Sequence, residues 1–198
     1  MKKYSIFISI LFFTLSVNAQ DFSKDIADAK SSYAAGKLAD AHFSLEQAIQ
    51  EIDMIVGKEV LKLLPAKMND QASVEKDDQV TANVGFVGAT VHRSYGDTTG
   101  SQVEIISNSP LIASLNSFLN MPLVGGMMRN STTKVVKIQG YKSRLEKQGD
   151  NDNGKPNYQL QIPFKSALIT ITANGMDENA VMSFANSIPL DKIAALIQ

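Results

Sequence analysis

A change of hydrophobic period around residues 66–82 limits the folds open to this chain more than any other feature. Before that segment apolar residues recur every three or four positions, and after it they recur every second position. The first spacing lines up one face of a helix and the second one face of a strand. No single regular element satisfies both. The pattern predicts an α+β protein: an N-terminal helical hairpin followed by a four- to five-stranded, mostly antiparallel sheet with helices on one face.

In the helical part, Ile26, Ala29 and Tyr33 share one stripe, Ser23 is placed to cap, and Gly36 suits a helix end. A second, longer stripe runs through Ala41, Leu45, Ala48, Ile49, Ile52, Ile55 and Val56, and continues by Val60, Leu61 and Leu64 to Pro65. Two antiparallel helices over 20–65 follow. Tyr33, Gly36, Ala41, Leu45 and Ala48 stand at spacings that resemble one tetratricopeptide-type helical hairpin, in which glycine closes the turn and alanines let the helices approach. Asp53 stands where that motif places a proline, and no second copy appears downstream. The resemblance implies the hairpin fold. A peptide-binding groove of that kind normally takes about three repeats.

Residues 66–82, AKMNDQASVEKDDQVTA, are polar with both signs of charge and read as a linker to a sheet domain over 83–198. There, Val87, Ala89 and Val91 alternate with polar residues, as do Val103 and Ile105 beyond a Gly/Asp/Thr turn, which predicts a hairpin. Ser109-Pro110 opens a helix of about ten residues carrying Leu111, Leu115, Phe118 and Leu119. Val136 and Ile138 face one way with Lys137 and Gln139 opposite, and after Gly140 the apolar set shifts parity to Tyr141 and Leu145 while Lys142 and Arg144 point away, a one-residue slip that reads as a β-bulge. Tyr158 to Ile162 and Ile169 to Ala173 are further strands, with Pro163 marking an edge or a bend. Asp177 caps a helix flanked by a Met176/Val181 staple, and a last turn or two follows Pro189. The element order and the ending ALITITANGMDENAVMSFANSIPLDKIAALI make 83–198 resemble the α+β sandwiches of the Mog1/PsbP type, which implies a fold and no site residues.

The chain begins with Lys2 and Lys3, an apolar run from Tyr4 to Val17 and a small-residue site at Val17-Asn18-Ala19. This is the layout of a secretory signal peptide over 1–19. A run of roughly 14 residues makes a helix of about 20 Å, short of a bilayer's hydrocarbon core. Cleavage after Ala19 leaves an exported chain with no transmembrane helix, expected in the periplasm, with the exterior as the alternative. Removing Lys2 and Lys3 leaves 17 basic against 20 acidic residues, a net charge of −3, which is not the balance of a nucleic-acid binder. With no cysteine, no disulfide framework or thiol chemistry is open to the chain.

Chemistry-bearing motifs are sparse. His42 and His92 are the only histidines; His42 has no HxxxH or HxxE partner, and His92 has no companion acid within sequence reach. The chain carries no GxSxG, no phosphate-cradling loop and no GxGxxG. No catalytic, cofactor or metal residues are therefore assigned. The ten-residue stretch QGDNDNGKPN at 148–157 is rich in side-chain oxygens but has Gly149 and Leu160 where an EF-hand loop needs its first and last ligands. It reads as a hairpin connection.

The most unusual segment for a surface loop is NMPLVGGMMR, in which Met121, Leu123, Val124, Met127 and Met128 surround a Gly-Gly pair. Methionines adapt to irregular partners, and apolar loops mark contacts. These five residues are candidates for binding an envelope protein or a hydrophobic ligand; the other reading is that the loop folds back to close the core. Gln102, Glu104, Lys137, Gln139, Lys142, Arg144, Gln159, Gln161, Thr170 and Thr172 are placed to share one polar sheet face, either solvated or serving as a platform. The expected function is a non-enzymatic accessory or binding protein of the bacterial cell envelope. The alternatives are an envelope hydrolase whose site assembles only in three dimensions and a carrier of a hydrophobic ligand. Nothing in the pattern specifies an oligomeric state.

Overall fold

The structure, a computed structural model, describes residues 17–82, 88–97, 100–121 and 132–197. The chain divides into two compact units, Met1–Ala48 and Ile49–Gln198. In the first, α1 (Val17–Ala34) is followed by the start of α2 (Leu38–Leu63). Ser23 lies inside α1 and is no cap, because the helix begins six residues earlier. Gly36 makes the turn at φ 74°, where the Lys37 N–H donates to Ser32 O at 2.9 Å and satisfies a carbonyl at the end of α1. The small residues Ala29, Ala41 and Ala48 are buried, whereas Ile26, Tyr33, Leu38 and Leu45 stay exposed.

The second unit begins within α2. Val60 and Leu64 belong to the same buried cluster as the sheet's inner residues. Residues 66–82, expected to be a linker, are structured. They hold β1 (Lys67–Met68), β2 (Gln71–Ala72), a 3-10 turn (Glu75–Asp77) and β3 (Gln79–Ala82). Their polarity has a physical cause: β3 is the outermost strand of the main sheet, so half its side chains and one row of its backbone groups meet water. Met68, fully buried, is its apolar anchor in the core.

Among the described residues the main sheet has seven antiparallel strands in the order β3-β4-β5-β9-β8-β7-β6, with β4 (Ala89–Tyr95), β5 (Ser101–Ser107), β8 (Pro156–Phe164) and β9 (Ala167–Ala173) in its middle. The expected four to five strands understate this for two reasons. One is β3. The other is that the segment read as a single bulged strand is a hairpin, β6 (Thr133–Ile138) and β7 (Tyr141–Asp150), whose connection is Gln139-Gly140. Both turn residues have positive φ, 47° and 91°, as a two-residue hairpin matching the twist of its strands requires. A two-residue turn shifts the side-chain parity by one, just as a bulge does. The true register shift lies between Lys147 and Gly149, where β7 pairs with β8. Pro163 sits beyond the end of the β7 ladder, which stops at Gln161, so its missing N–H interrupts no pairing there.

One face of the sheet is dry. Val91, Val103, Ile105, Leu145, Leu160, Ile162, Ile169 and Ile171 are buried there beneath the C-terminal half of α2, α4 (Glu178–Ser187) and α5 (Leu190–Leu196). Asp177 caps α4 by accepting from the Ala180 N–H at 2.8 Å, and Met176 and Val181 are both buried beside it. α3 (Leu111–Leu119) departs from the expectation that all helices cover one face. It lies on the opposite side, where Leu115 and Leu119 pack on Leu168 in a cluster of their own. The alternation lapses there: Leu168 lies opposite Ile106 on β5 and Pro163 on β8, an apolar spot on an otherwise polar face that α3 covers.

Candidate functional site

Register defines the second face. His92 lies opposite Glu104, Glu104 opposite Thr170, Thr170 opposite Gln161, and Gln161 opposite Arg144, a single polar row across five strands. At about 4.8 Å per strand the row spans roughly 19 Å. A parallel row runs Ser94, Gln102, Thr172, Gln159 and Glu146. All the residues expected on this face belong to it except Gln139. That side chain turns toward the helices, where Nε2 donates to Asn186 O at 3.1 Å and to Ile188 O at 2.7 Å.

At one end of the row the 3-10 turn grips β4 from both sides. Asp78 takes a bidentate pair from Arg93, Nε to Oδ1 at 2.9 Å and Nη2 to Oδ2 at 2.6 Å, while Nη1 donates to Leu64 O at 3.2 Å. The hydrogen bond to Asp78, opposed by burial, holds Arg93 above its ordinary pKa. Beside it the Tyr95 hydroxyl donates to Pro65 O at 2.8 Å, and burial pushes its pKa upward. Asp77, the preceding residue, points to the polar face. It accepts from the Ser94 hydroxyl and stands 3.5 Å from His92 Nε2, which is itself 3.1 Å from Ser94 Oγ.

Sequence spacing offered His92 no acid, and the fold supplies one. The arrangement is nevertheless a poor nucleophile relay. A catalytic serine must give its proton to the imidazole while the carboxylate orients the other ring nitrogen. Here the hydroxyl donates to the carboxylate, both face the same ring nitrogen, and Ser94 is buried. His42, by contrast, is exposed and stands 3.5 Å from Glu46 one turn along α2.

At the other end, α3 and the sheet enclose a groove of about 380 Å³ lined by Leu111, Ser114, Leu115, Phe118, Arg144, Gln161 and Leu168. The guanidinium of Arg144 lies 5.5 Å from the Phe118 ring centroid. Its Nη2 pairs with Glu146 at 2.6 Å and its Nη1 reaches Gln161 Oε1 at 3.4 Å, but its Nε is buried without a partner. Lys142, next on the same face of β7, donates to Asn120 Oδ1 at 3.1 Å at the C-terminal end of α3. Of the five apolar-loop candidates, Met121 is described and is exposed just past that end of α3, whereas Leu123, Val124, Met127 and Met128 lie outside the described residues. The groove itself escaped sequence reading because its lining comes from α3, β7, β8 and β9. The usable signal was Leu168, an apolar residue on the polar side of its strand.

A second hollow, about 470 Å³, lies between Lys67, Asn69 and the polar side of α4, with Phe184 its one large apolar wall. The oxygen-rich stretch holds the end of β7, its five-residue connection 151–155 and the start of β8. Asn151 holds it closed, its backbone N–H donating to Lys155 O at 2.7 Å and its Oδ1 accepting from the N–H groups of Asn153 and Lys155. Among the described residues no group of three or more acidic or histidine side chains is placed to hold a metal, and no helix is long and apolar enough to cross a membrane. Compared with known proteins, the chain matches no protein-family model, no curated protein and no solved structure.

Proposed function

We propose that the chain is a non-enzymatic, exported binding protein of the bacterial cell envelope, and that the groove beneath α3 is where it holds an apolar group of its ligand or partner. The observation that carries this reading is the groove's make-up: aliphatic and aromatic walls from Leu111, Leu115, Phe118 and Leu168 around two convergent polar groups, Arg144 and Gln161. Ligand sites are typically apolar hollows with a few placed polar groups. Export is supported by the basic, apolar and small-residue order of the first 19 residues.

Within this reading, the groove volume of about 380 Å³ favours a small hydrophobic ligand, since sites for such ligands run from about 300 to 1,000 Å³. The test is crosslinking and capture from intact envelopes with the mature chain and with Leu111→Glu, which puts a charge at the exposed mouth of the groove. The expected outcome is one reproducible bound species, lost in the variant at unchanged melting temperature. Equal capture by both chains sinks the assignment to this groove.

A further inference from the structure

We infer that the α3 groove takes an amphiphile with a carboxylate head and an aliphatic tail, the head lying at the Arg144 end. The inference rests on the reading of this groove as the binding site. Its two ends differ in chemistry. Toward the start of α3 the lining is Leu111, Leu115 and Leu168 with the one hydroxyl of Ser114, and among the described residues no charged side chain. Toward the end of α3 the floor is Arg144, with Lys142 on the same face two residues away and Lys137 directly opposite Lys142 on β6. Glu146 is the acidic counterpart, so among the described residues this part of the sheet face carries Arg144, Lys142 and Lys137 against one anion.

The hydrogen-bond inventory points the same way. A guanidinium presents five N–H donors and no acceptor. Arg144 uses one on Glu146 and one, at 3.4 Å, on Gln161; its Nε is buried out of a ligand's reach, which leaves the second N–H of each terminal nitrogen on this part-exposed side chain for an acceptor in the groove. What the floor lacks is an acceptor, and a planar carboxylate matches the planar guanidinium fork. An alcohol supplies one weaker acceptor, and an ammonium head meets like charge. The aliphatic tail then lies along Leu115 and Leu168, whose contact with water it removes.

Titration calorimetry of the mature chain with submicellar dodecanoate, dodecanol, dodecylammonium and acetate tests this. Dodecanoate is expected to bind at least about tenfold tighter than dodecanol or dodecylammonium, the scale of one charge-assisted contact, and acetate alone to give no measurable binding. Arg144→Gln should erase the preference for dodecanoate over dodecanol at unchanged melting temperature. Should that variant lose its fold along with the Glu146 pair, the exposed Lys142→Gln variant and the wild-type ranking of heads decide: a reduced preference in the former and the order above in the latter support the inference. Equal binding of dodecanoate and dodecanol overturns the head assignment and leaves the groove reading intact. Absence of binding by every amphiphile, while capture remains sensitive to Leu111→Glu, overturns the amphiphile and assigns the groove to an apolar segment of a partner protein.

Discussion

Asp77 and Asp78 are neighbours in sequence and serve opposite faces of β4, because Asp77 closes the 3-10 turn and the backbone turns extended at Asp78. Asp78 answers a guanidinium that is almost wholly buried. Removing one partner of such a pair leaves an uncompensated charge, so Asp78→Ala should lower unfolding free energy by about 3 kcal/mol or more in denaturant titration; a loss under about 1 kcal/mol contradicts the role given to this pair. Tyr95 supplies a pH test. Burial raises its pKa, so the folded chain keeps the phenolic proton where an unfolded one, with a value near 10, has lost it. Its contribution is therefore complete below about pH 10 and declines as pH rises beyond it. The raised Arg93 acts in the same direction at still higher pH. Tyr95→Phe should cost about 1 kcal/mol at neutral pH through the lost bond to Pro65 O, and its stability should fall less steeply above about pH 10. Parallel curves for the two chains exclude burial of the phenol as the cause.

At the scale of elements, turns decided what periodicity left open. Gln139-Gly140 and a bulge leave the same mark on a hydrophobic pattern, and only the pairing of Ile138 with Tyr141 separates them. Gly140 has φ 91° with open space where a side chain would go, so Gly140→Ala meets no clash and bears only the left-handed backbone cost, about 1 kcal/mol. A stability series should show that loss with an unchanged sheet signature in circular dichroism; no loss at all argues against the positive φ. The α4 cap was legible, since an aspartate before an amphipathic run has one evident use, and Asp177→Ala should cost about 1 kcal/mol. β3 was not legible, because an edge strand with one wet face is polar enough to pass for a linker.

At the scale of the whole molecule, export is the proposal that the first 19 residues make. Mass spectrometry of the protein recovered from the periplasmic fraction should find Gln20 at the N-terminus; an intact Met1 in that fraction contradicts cleavage after Ala19. The N-terminal helix pair, the antiparallel character of the sheet, the β7–β8 connection within 148–157 and the amphipathic α3 were readable from the sequence because each depends on neighbours within a few residues: a period, a cap, a run of turn formers. The strand order, the face on which α3 lies and the union of Asp77 with His92 or of Arg144 with Phe118 were decided by the tertiary structure alone. Those depend on which segments become spatial neighbours. Local preference is blind to that choice, which follows from burying a large apolar area while leaving few polar groups stranded.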